Sequence, residues 1–416
     1  MGPRWTPTLV AIAPLACALA ATASDLGRPI IAETQHVDDI ARIEAPRRPG
    51  AEGHAGMTLE GIMQELDIPA LSVAVVRDFE VIWAKAYGQA DVGAGLRATT
   101  DTLFQAASIS KPVSAMAVLK AVQDGLFGLD DDINSILTSW ELTEDQEFLE
   151  ETSVTPRLLM SMTAGTTVSG FPGYLPSGMI PTVPQVLAGS WGNALVNTPP
   201  VIVDWAPNTK YEYSGGGVTI LQLAVADAAG RPFAQFVKDH VLDPIDMSAS
   251  CFCQPLPANL DANAARAYER QDRPEDHRGA AEAKWHVYPE LYAAGLWTTP
   301  SDLAKFLIEV QLSLQGRSNK VLPRKTIRKM VTQGGIGHYA LGFTVGSISP
   351  HVPAPAGEAP RLFGHTGGNW GFRSNLVGHL ENGSGFMIMA NSDSSNPLVF
   401  LELPARLRAL YANRPD

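Results

Sequence analysis

The chain has 416 residues, 45% hydrophobic and 18% charged, enough apolar material for one large domain or two to three average ones. A net charge of −12 with no Lys/Arg-rich block excludes a basic surface for nucleic acid. Nine scattered histidines and three cysteines, with no His-Glu-x-x-His, give no metal-ligand spacing, and no cofactor is expected.

Residues 1–23 have the layout of an export signal: Arg4, an apolar run from Leu9 to Ala21, and the small-x-small site Ala21-Thr22-Ala23. The run is too short and Ala-rich for a transmembrane span, so an exported chain, periplasmic or secreted, is expected. Cys17 in Pro14-Leu15-Ala16-Cys17 offers lipid attachment as the alternative. Residues 24–56 mix charge, Pro and Gly without periodicity and are expected to form a loosely held lead-in. Thr58 can cap a helix whose Leu59, Ile62, Met63 and Leu66 recur at helical spacing. Leu71–Val76 and Val81–Tyr87 are β-type runs joined as a hairpin.

From about 106 to 314 the pattern turns helical, broken by long loops. Ser108 to Val122 is nearly all apolar, with Pro112 placing a helix start near Ser108. Thr155–Met162 and Val218–Ala229 read as helices, and Ser301 is the expected cap of a third reaching Leu314. The Gly-, Pro- and aromatic-rich stretch 168–207 has the length of a functional loop around a site. Cys251 and Cys253 are too close in sequence for an unstrained disulfide, so two buried thiols are expected. Runs at Tyr339–Val345, Leu362–Thr366, Arg373–Leu380 and Gly385–Ala390 are extended, the last two joined at Asn382-Gly383. A closing helix starts near Asn396-Pro397 and carries a kink at Pro404. Strands at both ends with helices between imply an α+β plan, one antiparallel sheet interrupted by a helical insertion.

Three stretches carry chemistry. Ser108 and Lys111 lie three apart, on one face of a helical turn, which brings hydroxyl and amine within reach. The spacing is weak evidence alone. Tyr213-Ser214-Gly215 precedes a helix and offers a phenol for proton transfer, with glycines that let backbone approach a ligand. His365-Thr366-Gly367-Gly368 lies on a strand, where the Gly368 N–H can act as an oxyanion donor opposite that of Ser108. Ala188-Gly189-Ser190-Trp191-Gly192 approaches a nucleophile elbow but lacks its first glycine and its following helix.

In this order the three stretches resemble the motifs of the serine β-lactamase and penicillin-binding-protein superfamily, on its class C, carboxypeptidase and esterase side. That family carries Ser-x-x-Lys, Tyr-x-Asn, then Lys-Thr-Gly or His-x-Gly. Leu158–Gly165, Ala293–Ala304 and Gly371-Phe372 add to the likeness, which spans about 57 to 412. The resemblance implies a catalytic domain over 57–412, with a five-stranded antiparallel sheet (about 57–105 and 315–412) flanked by terminal helices and a mostly helical insertion at about 106–314. It also implies an acyl-enzyme on Ser108, with Lys111 and Tyr213 as base and proton relay, and no metal. Gly215 stands where many relatives have Asn, and His365 where β-lactamases have Lys; both changes remove groups suited to β-lactams and peptide stems. The expected substrate is therefore a small ester, then a lactam or peptide, and an esterase or broad acyl hydrolase is favoured. A class C-like β-lactamase or D-Ala-D-Ala carboxypeptidase is the alternative, and a non-catalytic peptidoglycan- or β-lactam-binding protein is the rival of another class.

Overall fold

The computed structural model describes residues 36–143, 153–190, 193–269, 283–347 and 361–411. The expected signal at 1–23, with Cys17, and Trp191 lie outside the described residues. Among these, the chain forms a seven-stranded antiparallel sheet ordered β3-β2-β1-β9-β8-β7-β6. Its strands are β1 (Ala70–Arg77), β2 (Glu80–Asp91), β3 (Leu96–Arg97), β6 (Thr344–Val345), β7 (Leu362–Asn369), β8 (Phe372–His379) and β9 (Gly385–Ala390). A separate two-residue pair joins β4 (Phe104–Gln105) to β5 (Trp297–Thr298). The five long strands are those expected. The count rises from five to seven because two-residue strands, β3 and β6, cap the edges. The expected strand Tyr339–Val345 folds back on itself, Tyr339 bridging Thr344 around Gly342, whose φ of +117° favours glycine.

β1 lies inside the sheet, paired to β2 on one side and to the central strand β9, from the far end of the chain, on the other. Its side chains alternate between two cores, as a period of two requires. Leu71, Val73 and Val75 face the core built with the terminal helices, while Ala70, Ala74 and Val76 face the insertion. Helix α2 (Leu59–Glu65) starts at Thr58, whose Oγ1 accepts the Gly61 N–H at 3.0 Å. The lead-in is not loose where it is described. Helix α1 (Val37–Glu44) buries Ile40 and Ile43. The buried Arg406 guanidinium then donates to the carbonyls of Ile43, Ala45, His54 and Met57 at 2.7 to 3.2 Å.

Two sequence expectations are corrected at element ends. Thr299, not Ser301, caps the Pro300–Leu314 helix, because its hydroxyl reaches the Asp302 N–H at 3.1 Å and Pro300 needs no N–H partner. Pro404 makes no mid-helix kink: a π-type turn over Pro397–Glu402 ends there, and Pro404 falls in the first turn of Leu403–Tyr411. Cys251 and Cys253 are also not free thiols but disulfide-bonded. Cys251 pairs with Trp297, and the Cys251 and Cys253 Cα atoms lie 5.2 Å apart, inside the range a disulfide spans.

Candidate active site

Helix α3 (Ser110–Gln123) is mostly apolar and buried from Ser110 to Leu119, with Val113, Met116 and Leu119 fully so. A short 3-10 turn over Ala107–Ile109 leads into it, so Ser108 stands at its positive end, as Pro112 implied. Ala107, just before Ser108, has a φ of +51°, a strained setting for a residue with a Cβ. The turn is anchored on both sides. Ala106 N–H donates to the Leu296 carbonyl at 2.8 Å, Ser374 Oγ donates to the Ala106 carbonyl at 2.6 Å, and Ser110 Oγ accepts the Leu296 N–H at 3.0 Å.

Lys111 Nζ donates to Ser108 Oγ at 3.0 Å and to the Ala293 carbonyl at 2.9 Å. The amine is otherwise in an apolar setting, 4.9 Å above the centre of the Tyr213 ring. No carboxylate offsets the loss of water, and burial brings its pKa down from 10.5 to about 7. Tyr213 is held by the start of the Gly215–Ala229 helix, where Ser214 Oγ caps the Gly217 N–H at 2.8 Å and donates to the Thr167 carbonyl at 2.7 Å. Burial raises the Tyr213 phenol, and the adjacent Ser108 hydroxyl pulls it part of the way back. At neutral pH the pair is thus an amine that can accept a proton beside a phenol that can give one.

Gly215 is buried outside the cleft. A Cβ there would come within 3.0 Å of the Ser169 carbonyl and 3.1 Å of the Phe171 ring, so glycine lets this loop pack on the helix start. The site therefore has an aromatic wall where an Asn side chain would project.

Strand β7 supplies the other side. Leu362 O accepts the Gly346 N–H at 2.8 Å and Gly364 O accepts Thr344 Oγ1 at 2.8 Å, so even-numbered residues direct their backbone groups towards β6. Pairing with β6 ends at Gly364, which leaves the Thr366 and Gly368 backbone on an open edge facing Ser108. Gly367 permits the approach: a Cβ on it would strike the Ala106 carbonyl and Ser374 Oγ. Thr366, Gly367 and Gly368 line the cleft with Ser108 and Tyr213. His365 does not. Its ring is fully buried beside the Tyr213 ring, 6.1 Å away, with Nε2 3.0 Å from the Tyr339 hydroxyl.

The cleft has a volume of about 950 Å³. Its walls are largely apolar, with Phe171, Tyr174, Met179, Trp370 and Phe400 among them, and the Trp370 ring stacks on His286 at 4.3 Å. Trp285 is instead buried against Trp297, 5.0 Å away. Among the described residues, the charged lining side chains are Glu269, Arg373 and Asp393. Arg373 is already neutralised, 2.6 Å from Asp393 and with its Nε donating to Asn396 at 2.7 Å. Burial raises the Asp393 carboxyl while Arg373 draws it down.

Sequence reading had no signal for Arg373, Asp393 or Phe400, which reach the cleft from separate elements. It had a partial one for Ala293–Ala304, a stretch it singled out without a role. That stretch supplies the Ala293 carbonyl for Lys111, the Leu296 backbone for the turn that carries Ser108, and the Ala294 carbonyl that accepts from Asn369 at 3.1 Å. Among the described residues, no cluster of His, Cys, Asp and Glu could hold a metal ion, and no helix is long and apolar enough to cross a membrane.

Protein flp of Staphylococcus aureus strain N315 is 22% identical over 339 residues, covering 81% of this chain and 62% of that protein. The chain thus spans less than two thirds of that relative's length. Protein Rv1367c of Mycobacterium tuberculosis H37Rv is 28% identical over 275 residues, 60% of this chain and 66% of that one. Among solved structures, an octameric penicillin-binding protein homologue from Pyrococcus abyssi superposes with a TM-score of 0.63 at 23% identity, over 84% of this chain and 75% of that chain. The family model described as Beta-lactamase matches residues 57–411, and the chain belongs to that family.

Proposed function

We propose that the protein is an exported serine acyl hydrolase that cleaves small, uncharged esters through an acyl-enzyme on Ser108, with residues 57–412 as its catalytic domain. The observation that carries this reading is the contact between Ser108 Oγ and a buried Lys111 amine brought down to about 7. Ser108 Oγ bonds to the ester carbonyl carbon as its proton passes to Lys111. The oxyanion lies between the N–H groups of Ser108 and Gly368. The bond to the alcohol breaks, and Tyr213 gives its proton to the departing oxygen; Lys111 then returns a proton to Tyr213. Water, deprotonated by the same pair, adds to the acyl carbon and restores Ser108.

Substrate preference follows from charge and shape. A β-lactam or a D-Ala-D-Ala stem carries a carboxylate, whereas the cleft offers two acidic side chains and one arginine already paired to one of them. With Gly215 set aside for the aromatic wall and the His365 ring buried out of the lining, a substrate carboxylate meets no unpaired arginine or lysine among the described lining residues. Phe171, Met179, Trp370 and Phe400 favour an apolar acyl or alcohol group instead.

The test is intact-mass analysis after treatment with a fluorophosphonate, followed by rates on a short-chain p-nitrophenyl ester, a chromogenic cephalosporin and a D-Ala-D-Ala peptide. A Ser108 adduct absent from Ser108→Ala, with turnover fastest on the ester, is expected. No adduct would leave a binding protein, and fastest turnover on the cephalosporin or the peptide would overturn the ester preference.

A further inference from the structure

A second cavity, of about 490 Å³, lies at the end of the sheet where β7 begins, whereas the cleft lies where β7 ends. Among the described residues the two share no lining side chain. The floor of the second cavity is apolar: Val75, Val377, Phe386 and Leu407 belong to the core built with the terminal helices. Its charge is the reverse of the chain's. On a chain of net charge −12, Arg77, Arg361 and Arg408 line this cavity, against one described acid, Asp78.

The sheet gathers these side chains from distant parts of the sequence. β1 ends at Arg77, and the Arg361 carbonyl accepts the Leu380 N–H at 2.8 Å, which sets Arg361 close to His379 at the end of β8. Arg408 comes from the closing helix Leu403–Tyr411. None of the three guanidiniums is well satisfied. Arg77 has Asp78, 3.4 Å away on a side chain that is 82% exposed, a pair worth little in water. Among the described residues, the guanidiniums of Arg361 and Arg408 have no hydrogen-bond or ion-pair partner. Loss of water draws the Arg408 pKa down, yet a guanidinium stays charged. His379 adds a neutral donor. Burial lowers its pKa, with Glu381 opposing and Arg361 adding to the effect. Its Nδ1 accepts the Glu381 N–H at 3.3 Å, so the ring's single proton is on Nε2.

We infer that this cavity binds an amphiphilic oxyanion, a carboxylate or phosphate head on a short apolar chain. The head pairs with Arg361 and Arg408, whose planar forks fit either oxyanion, and the chain lies over Val75, Val377, Phe386 and Leu407. The volume falls within the range of about 300–1,000 Å³ usual for small-molecule sites. A bare inorganic anion would leave the floor unused, and an uncharged alcohol would leave the arginines unpaired. The site is separate from Ser108 and stands whether or not that serine forms an acyl-enzyme.

The experiment is calorimetric titration of the full chain with octanoate, octyl phosphate, acetate, inorganic phosphate and 1-octanol. At least one octyl anion should bind about tenfold or more tighter than both its chain-free head and 1-octanol, and the tighter of the two names the head. Replacing Arg361→Gln and Arg408→Gln together should weaken that binding by about tenfold or more. Asp78→Asn should tighten it by about twofold to fivefold. That side chain is exposed and Asn suits its φ of +52°, so this variant keeps the fold. Met179→Asp, which puts an acid at an exposed position in the cleft, should leave the affinity unchanged. Octyl anions that bind no tighter than their bare heads or 1-octanol would overturn the inference. So would an affinity that falls with Met179→Asp and ignores the changes at Arg361, Arg408 and Asp78.

Discussion

Replacing Lys111 by methionine tests whether a buried amine is held ready as a base. The side chain is 2% exposed, and burial alone brings its pKa from 10.5 to about 7. At pH 7 a lysine at 10.5 would be neutral about once in 3,000 molecules; at about 7 it is neutral in roughly half, a gain of about 1,500-fold in base. The same displacement disfavours the charged form by about 5 kcal/mol. A base lowered in the folded state costs stability in full below about pH 7, and the cost fades as pH rises to 10.5, where the unfolded lysine is neutral too. Methionine fills the space without that cost but leaves Ser108 Oγ and the Ala293 carbonyl without the amine, a loss of about 1–3 kcal/mol. Lys111→Met should therefore be inactive and, in urea unfolding at pH 6, more stable than wild type by about 2–4 kcal/mol. By pH 10 that advantage should vanish or reverse. A stability difference that stays constant between pH 6 and pH 10 would refute the lowered amine and, with it, the assignment of Lys111 as base. The labelling rate at Ser108 should rise through a midpoint near 7 in the wild type.

Tyr213→Phe keeps the ring over Lys111 and removes only the hydroxyl, so turnover on a p-nitrophenyl ester should fall by about 10²- to 10⁴-fold while the melting temperature barely moves. Gly367→Ala should cut Ser108 labelling by about 100-fold or more and destabilise by about 1–3 kcal/mol, since the new methyl displaces the Ala106 carbonyl and Ser374. Asp393→Asn frees the Arg373 charge, so kcat/KM for an ester bearing a carboxylate should rise about tenfold relative to its neutral counterpart; an unchanged ratio would remove the charge argument for neutral substrates. Arg406→Leu strips four backbone carbonyls and Glu402 of their shared donor, and urea unfolding should show a loss of about 3 kcal/mol.

Local chemistry made much of the architecture readable. The β-type runs Leu71–Val76 and Val81–Tyr87, the Asn382-Gly383 turn and the Thr58 cap depend on near neighbours, and each stands where its pattern put it. Edges were less legible. β3 and β6 are two residues long; no local pattern announces β3, and of the extended run at Tyr339–Val345 only Thr344–Val345 pairs as a strand. The Cys251–Cys253 bridge was likewise not legible, because spacing in sequence does not say that the two Cα atoms come to 5.2 Å.

Ser108 and Lys111 are one helical turn apart, so their contact was determined by the sequence alone; helix geometry closes it whatever surrounds it. The amine's readiness was not. It comes from burial within a core built by residues from many elements, and from the Ala293 carbonyl and Tyr213 ring brought in over long separations. The direction of His365 was likewise a tertiary decision. A strand residue has two faces to choose from, and Tyr339, folded back at Gly342, supplied the hydroxyl that meets the imidazole where it is buried beside Tyr213.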